Sequence, residues 1–162
     1  MAKRIYYCNK CWEHRRIDKV IDKQMHDFSM QTFNRDLCID CQKEISSHIS
    51  PYADKLYKAL FEKGFPVKQE WWDGDKHIDI VDIEANVHIE VDGIRHQENH
   101  EQALSDLKRT FHSFLDGCFT LRIPSSLVNA DECFDETVSL IEYILNECYD
   151  HYVLKLHGHK TL

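Results

Sequence analysis

Two cysteine pairs set the tightest constraint on how this chain folds. Cys8-Asn9-Lys10-Cys11 and Cys38-Ile39-Asp40-Cys41 are C-x2-C repeats separated by 26 residues. Each such turn grips one side of a tetrahedral ion, and together they supply four thiolates that close its coordination, the pattern of a structural Zn2+. A dithiol oxidoreductase would need only one pair, set beside a βαβ pattern, so a redox reading is poor. His14 and His26 are alternative ligands but read better as surface residues. The segment from Trp12 to Leu37 shows strand-like pieces and no long helical stripe. Residues 1–49 are therefore expected to form a small zinc ribbon with four cysteine ligands. The count of seven cysteines is odd, and in a reducing compartment they serve as metal ligands and buried thiols better than as a disulfide framework. Cys118, Cys133 and Cys148 read as small apolar residues.

At 162 residues and 43% hydrophobic content, the chain can bury one real core plus a module too small to hold itself together without a metal. Met1 to Ile5 run into Tyr6-Tyr7-Cys8 without the apolar stretch that a secretion signal needs. No apolar run is long enough to cross a bilayer. The expectation is a cytoplasmic protein with no membrane contact.

Charge is uneven. Residues 1–49 carry nine Lys/Arg against seven Asp/Glu, whereas the remainder carries 11 against 21, within an overall charge of −8. Such a chain is no nonspecific polyanion binder, so any nucleic-acid contact must come from local patches. Lys10, Arg15, Arg16 and Lys19, near Trp12, form one candidate, and solvation of a small module is the alternative.

Acidic residues concentrate on one hairpin. His77-Ile78-Asp79-Ile80-Val81-Asp82 and Val87-His88-Ile89-Glu90-Val91-Asp92 flank a polar break at Glu84 to Asn86, and the second run alternates apolar and polar residues as a half-buried strand does. Glu90 and Asp92 then share a face with His88, and Asp79 joins them from the paired strand. Carboxylates placed together repel unless a cation offsets them, and hard oxygen ligands suit Mg2+ or Mn2+ better than Zn2+. A solvated acidic face is the plainer alternative.

Around the hairpin, Ser50-Pro51 opens a helix with Tyr52, Leu56 and Leu60 as its stripe. Val67 to Trp72 form a strand that turns at Asp73-Gly74-Asp75. After Gly93, a helix from about Gln97 to Asp116 carries Leu104, Leu107, Phe111, Phe114 and Leu115 at helical spacing, read as core. Gly117 closes it before a strand over Cys118 to Ile123. Strand, crossover helix and strand imply a partly parallel, mixed sheet. The last helix starts near Asp131 with Phe134, Val138, Ile141, Leu145 and Cys148 as its stripe, and packs on the core or serves a dimer. Residues 156–162 read as a tail.

Asp79, then Glu90-Val91-Asp92-Gly93 with His96, then Asp106-x2-Arg109, Gly117 and Leu121-Arg122-Ile123, together resemble the core of very-short-patch-repair-like bacterial endonuclease domains. These belong to the PD-(D/E)xK, restriction-endonuclease-like superfamily. The resemblance covers about Ser50 to Val128, and the helix with Asp54, Leu56, Tyr57 and Leu60 fits that family's first helix. It implies an α/β fold over residues 50–155, a mixed β-sheet flanked by helices, and Mg2+- or Mn2+-dependent hydrolysis of DNA. Asp79, Glu90 and the carbonyl of Val91 would hold the metal. Asp92 would bind the metal or its waters, and His96 would shuttle a proton or polarise the phosphate, with His88 a weaker candidate for that task. Asp54 is the acid that the family's first helix would bring near the metal, although a first-turn carboxylate favoured by the helix dipole explains it equally. Lys108 and Arg109 are phosphate contacts on a helix beside the site, unless Arg109 simply pairs with Asp106. The sequence departs from the superfamily in two places: Ile78 precedes Asp79 where Pro is usual, and Asp92 stands where a lysine usually follows the Glu. The resembled branch also lacks that lysine. Two alternatives come from other classes: a nucleic-acid-binding zinc-ribbon protein without cleavage, and a subunit of a repair or defence complex. A homodimer or a protein partner is compatible with each reading.

Overall fold

The computed structural model describes residues 4–93, 100–115 and 117–157. Its first unit gathers the four cysteines. A hairpin of β1 (Tyr6–Tyr7) and β2 (Val20–Ile21) encloses α1 (Asn9–Arg15), and α2 (Lys23–Phe33) and α3 (Ile39–Ser47) follow. Cys8 and Cys38 sit at the N-cap positions of α1 and α3 with extended backbones, so Cys11 and Cys41 fall in the first turns. Each pair therefore straddles a helix N-terminus, where free N–H groups and the helix dipole favour thiolate.

The ribbon expectation fails here, because the segment between the pairs is mostly helical. In α2 the apolar stripe is thin, with only Ser29 and Phe33 fully buried. The helix is fixed instead by its ends and its packing. The Asp22 carboxylate caps it by accepting from the Met25 N–H at 2.8 Å, and Asn34 ends it in the left-handed conformation at φ 56°. The end of the span expected as ribbon is α3 as well.

The second unit is a four-stranded sheet in the order β3 (Val67–Trp72), β4 (His77–Asp82), β5 (Val87–Asp92), β6 (Phe119–Pro124). The first two pairings are antiparallel and the last is parallel, so the expected mixed sheet is present. Helix α5 (His100–Leu115) makes the crossover between β5 and β6, while α4 (Pro51–Glu62), α6 (Ser125–Asn129) and α7 (Asp131–His157) complete the unit. Ser50 and Pro51 occupy the N-cap and first-turn positions of α4, although the Ser50 side chain makes no capping bond. One face of the sheet is apolar: Val67, Ile80, Val87, Ile89 and Val91 pack against Leu56 and Leu60 of α4, Val128 of α6, and Val138, Ile141 and Leu145 of α7. Among the described residues no helix is long and apolar enough to cross a membrane.

The α5 stripe is not core. Leu104, Leu107, Phe111, Phe114 and Leu115 are exposed, Phe114 at 69%. The apolar face of the sheet is already covered by α4, α6 and α7, and the opposite face is polar. Periodicity shows which side of a helix is apolar, not whether anything covers it.

One buried acid ties α7 to the hairpin. Asp82 has no exposed surface; it accepts from the Ala85 N–H at 2.9 Å and from the Tyr149 hydroxyl at 2.5 Å. Burial, and then this carboxylate, push the Tyr149 hydroxyl above its ordinary pKa. Tyr149→Phe leaves a buried carboxylate one bond short. It is expected to lower stability by about 1–3 kcal/mol, seen as a lower urea midpoint at unchanged slope.

Candidate functional site

Two groups of side chains stand out. The first is the thiol set: one ligand atom from each of Cys8, Cys11, Cys38 and Cys41 lies within 4.8 Å of the others, and all four are buried. Cys11 Sγ is 3.8 Å from Cys38 Sγ and 3.6 Å from Cys41 Sγ. Four sulfurs about 2.3 Å from a tetrahedral ion stand about 3.8 Å apart, whereas a disulfide would bring two to about 2.05 Å. The cysteines are free, and their spacing matches the metal geometry. Burial works against thiolate at Cys38, but the Cys41 backbone N–H and the neighbouring thiols outweigh it and bring Cys38 down to about 7. Burial pushes Cys11 and Cys41 up. Neither histidine weighed as a substitute ligand joins this set: the His26 ring stacks on Tyr6 and its Nδ1 lies 2.5 Å from Asp36 Oδ1, and His14 is exposed.

The second is the polar face of the sheet. Gln69 pairs with Ile80 and Trp71 with Ile78, which sets Glu70 opposite Asp79. Pairing of β4 with β5 runs from Asp82–Val87 to Ile80–Ile89. Beyond it the Asp79 carboxylate accepts the Val91 N–H at 2.8 Å. Glu90 lies beside Arg122 in the parallel pairing. Glu70, Asp79 and Glu90 thus cross three strands in a row, all part-buried. Their oxygens are not drawn as close together as the thiols, which form the one group of three or more ligands so gathered among the described residues.

Charge repulsion is written into this row. Burial first, then the charges of Asp79 and Glu90, push Glu70 up to about 7. Burial also raises Asp79, against the lowering effect of the Val91 N–H, and Glu90 adds to the rise. Glu70 further adopts the left-handed backbone at φ 52°, a strained choice for a residue with a long side chain. A carboxylate whose pKa is higher folded than unfolded stabilises the fold only while protonated. The Glu70 contribution is therefore present below about 4.5 and lost as pH rises through about 7. Glu70→Gln is expected to flatten the stability profile over that interval, measured by urea unfolding at a series of pH values.

Two cations meet these acids. The Lys76 ammonium pairs with Glu90, both side chains largely covered. Lys76 is held by a turn in which Asp73 Oδ1 accepts from the N–H groups of Asp75 and Lys76, each at 2.8 Å. Arg122 clasps Asp92 through Nε at 2.8 Å and Nη2 at 2.6 Å, so Asp92 faces a guanidinium rather than an open position. Burial lowers both His77 and His88 toward the neutral form.

The remaining candidates whose side chains are described are dispersed. His96 lies outside the described residues, as do the side chains of Asp106 and Arg109, whose backbones are in α5. Lys108 is exposed on α5. Arg15 is 3.8 Å from Glu44 at the surface, and the Arg16 guanidinium lies over the Trp12 ring. Asp54 is paired with Lys58 one turn on, at 2.6 Å, as a surface carboxylate. Sequence reasoning missed Glu70 and Lys76. The turn Asp73 to Lys76 held the signal, since a hairpin closed there places Glu70 opposite Asp79.

Set against protein-family models, curated proteins and solved structures, the chain finds no match.

Proposed function

We propose that the chain is a metal-dependent endonuclease that hydrolyses DNA phosphodiester bonds, built as a PD-(D/E)xK-like domain behind a four-cysteine zinc module. The observation that carries this reading is the part-buried row Glu70, Asp79 and Glu90 with the Lys76 ammonium against it. Surface acids do not need burial that raises their pKa, as it does for Glu70 and Asp79, and a face that tolerates it is prepared for cations. The order helix, three antiparallel strands, helix and parallel strand also agrees with the resembled fold.

Asp79 and Glu90, with the Val91 carbonyl, would hold Mg2+ or Mn2+. Such an ion supplies Lewis acidity toward the phosphate and lowers the pKa of the attacking water. The chain's own residues do the rest. Asp79 holds its orientation through the Val91 N–H. Glu70 supplies a third carboxylate beside Asp79, poised near neutrality to accept a proton. Lys76 provides a positive charge beside Glu90, the charge that Asp92 cannot provide. His96 is assigned proton transfer or phosphate polarisation on the resemblance. Arg15, Arg16, Lys108 and Arg109 are the proposed phosphate contacts. The four thiols hold structural Zn2+.

One observation favours a second reading, a nucleic-acid-binding protein without cleavage: Asp92 is engaged by Arg122 on both oxygens. The readings separate on plasmid cleavage that requires Mg2+ or Mn2+ and disappears in Asp79→Ala and Glu90→Ala.

A further inference from the structure

Among the contacts between the thiol module and the sheet is one buried charge. Arg35 is only 5% exposed, and burying a guanidinium is costly unless it is paired and stacked. Its guanidinium pairs with Glu13 and lies over the Trp72 ring, 3.9 Å from the centroid. Both members of that ion pair sit beside the clustered cysteines: Glu13 is two residues past Cys11, and Arg35 three before Cys38. Next to Arg35, Asn34 donates from Nδ2 to the Trp72 carbonyl at 3.0 Å. The end of α2 thus holds Trp72 by ring and by backbone at once.

Trp72 lies two residues from Glu70 on β3 and opposite His77 on β4. The Trp72 and His77 rings are 5.1 Å apart, and His77 Nδ1 lies 2.7 Å from the Glu70 carbonyl oxygen. From Glu13, two residues past Cys11 in the chain, contacts run through Arg35, Trp72 and His77 to the one residue of β3 with a left-handed backbone. A left-handed glutamate persists only where its surroundings over-determine it, and the His77 ring held by Trp72 is part of those surroundings.

We propose that Arg35 is a positioning residue that couples metal occupancy of the four-thiol cluster to cation binding on the carboxylate face, by holding Trp72 and through it the Glu70 backbone. This rests on the reading of Glu70, Asp79 and Glu90 as a divalent-cation face. Loading the thiols fixes α1 and the entry to α3, hence Glu13 and Arg35, hence Trp72. The coupling is reciprocal, so Mn2+ on the carboxylates tightens Zn2+ on the thiols by the same factor.

The test measures Mn2+ affinity of the full chain by the paramagnetic resonance of free Mn2+, in zinc-loaded protein and after zinc removal with a zinc-selective chelator that is then dialysed away. Zn2+ affinity is measured in parallel by competition with a chromophoric chelator, with and without Mn2+. Wild type is expected to lose Mn2+ affinity by about fivefold or more on zinc removal, and to show the same factor in Zn2+ affinity. Arg35→Met is expected to bind Mn2+ weakly whether or not zinc is present. Should Arg35→Met fail to fold, Glu13→Gln removes the ion pair at a half-exposed position and is expected to cut the coupling at least in half. Equal Mn2+ affinity in zinc-loaded and zinc-free wild type, or undiminished coupling in the variants, overturns the proposal while leaving the cation face in place. No Mn2+ binding by zinc-loaded wild type overturns the cation face itself, and the coupling with it.

Discussion

Asp79→Ala and Glu90→Ala are each expected to lower Mg2+-dependent cleavage by on the order of 10³-fold or more, the scale on which a group acting directly at the reacting phosphate is felt. The loss should fall on kcat and kcat/KM together, because in the proposed mechanism these carboxylates act on the transition state rather than on DNA binding. Alanine at 79 also strands the Val91 N–H that the carboxylate accepts, so its effect includes a structural part. Asp79→Asn separates the two, since its amide oxygen still accepts from Val91 while the charge is gone. The expected outcome is a melting temperature close to wild type with cleavage lost. Lys76 is the contrasting case: removing its ammonium leaves Glu90 without its partner but leaves the carboxylate row intact, so Lys76→Met should reduce cleavage less severely than either acid variant.

Removal of zinc is expected to melt the module around the cysteines while the four-stranded sheet stays folded. The core of that module is Cys8, Cys11, Ile21, Phe33, Leu37, Cys38, Cys41 and Ile45, half of it thiols. So small an apolar core cannot offset the conformational entropy of ordering about forty residues. Structural zinc in small modules supplies an apparent binding free energy of about 10–16 kcal/mol, which there is folding free energy. The sheet unit has its own core, from Leu56 and Leu60 through Ile80 and Ile89 to Leu145. Hydrogen exchange after chelation, or in Cys41→Ser, is expected to show loss of protection over α1 to α3 and retention over β4, β5 and α7. Uniform loss across the chain would mean that the sheet depends on the module for its stability.

The two ends of the fold differed in how far the sequence disclosed them. The β4–β5 hairpin was legible because alternation is strong and the turn is short: Val87, Ile89 and Val91 could only face inward, which put Glu90 and Asp92 outward. The stripe of α7 was legible for the same reason at the helical period. The thiol cluster was legible as chemistry but not as architecture, since C-x2-C fixes a ligand set and says nothing of what joins the two halves. Helix α2 was missed because its inner face offers only Ser29 and Phe33, too little for a periodic signal. The α5 stripe was read correctly as amphipathic and wrongly as core. At the carboxylate face, Asp79 and Glu90 followed from pairing within one hairpin, whereas Glu70 required the register of the next strand and Lys76 the path of a turn. Arg35 over Trp72 joins residues 37 positions apart, and no local pattern encodes such a meeting.

The measurement that bears most directly on the central claim is cleavage of supercoiled plasmid, mismatched duplex and single-stranded oligonucleotide with Mg2+ or Mn2+, by wild type, Asp79→Asn and Glu90→Gln purified side by side. Wild type is expected to cleave at least one substrate in a metal-dependent manner, and both variants to lose that cleavage at nearly unchanged melting temperature. Equal cleavage by all three proteins would assign the activity to a contaminant. DNA binding without cleavage by any of them would contradict the endonuclease reading and leave a binding protein in its place.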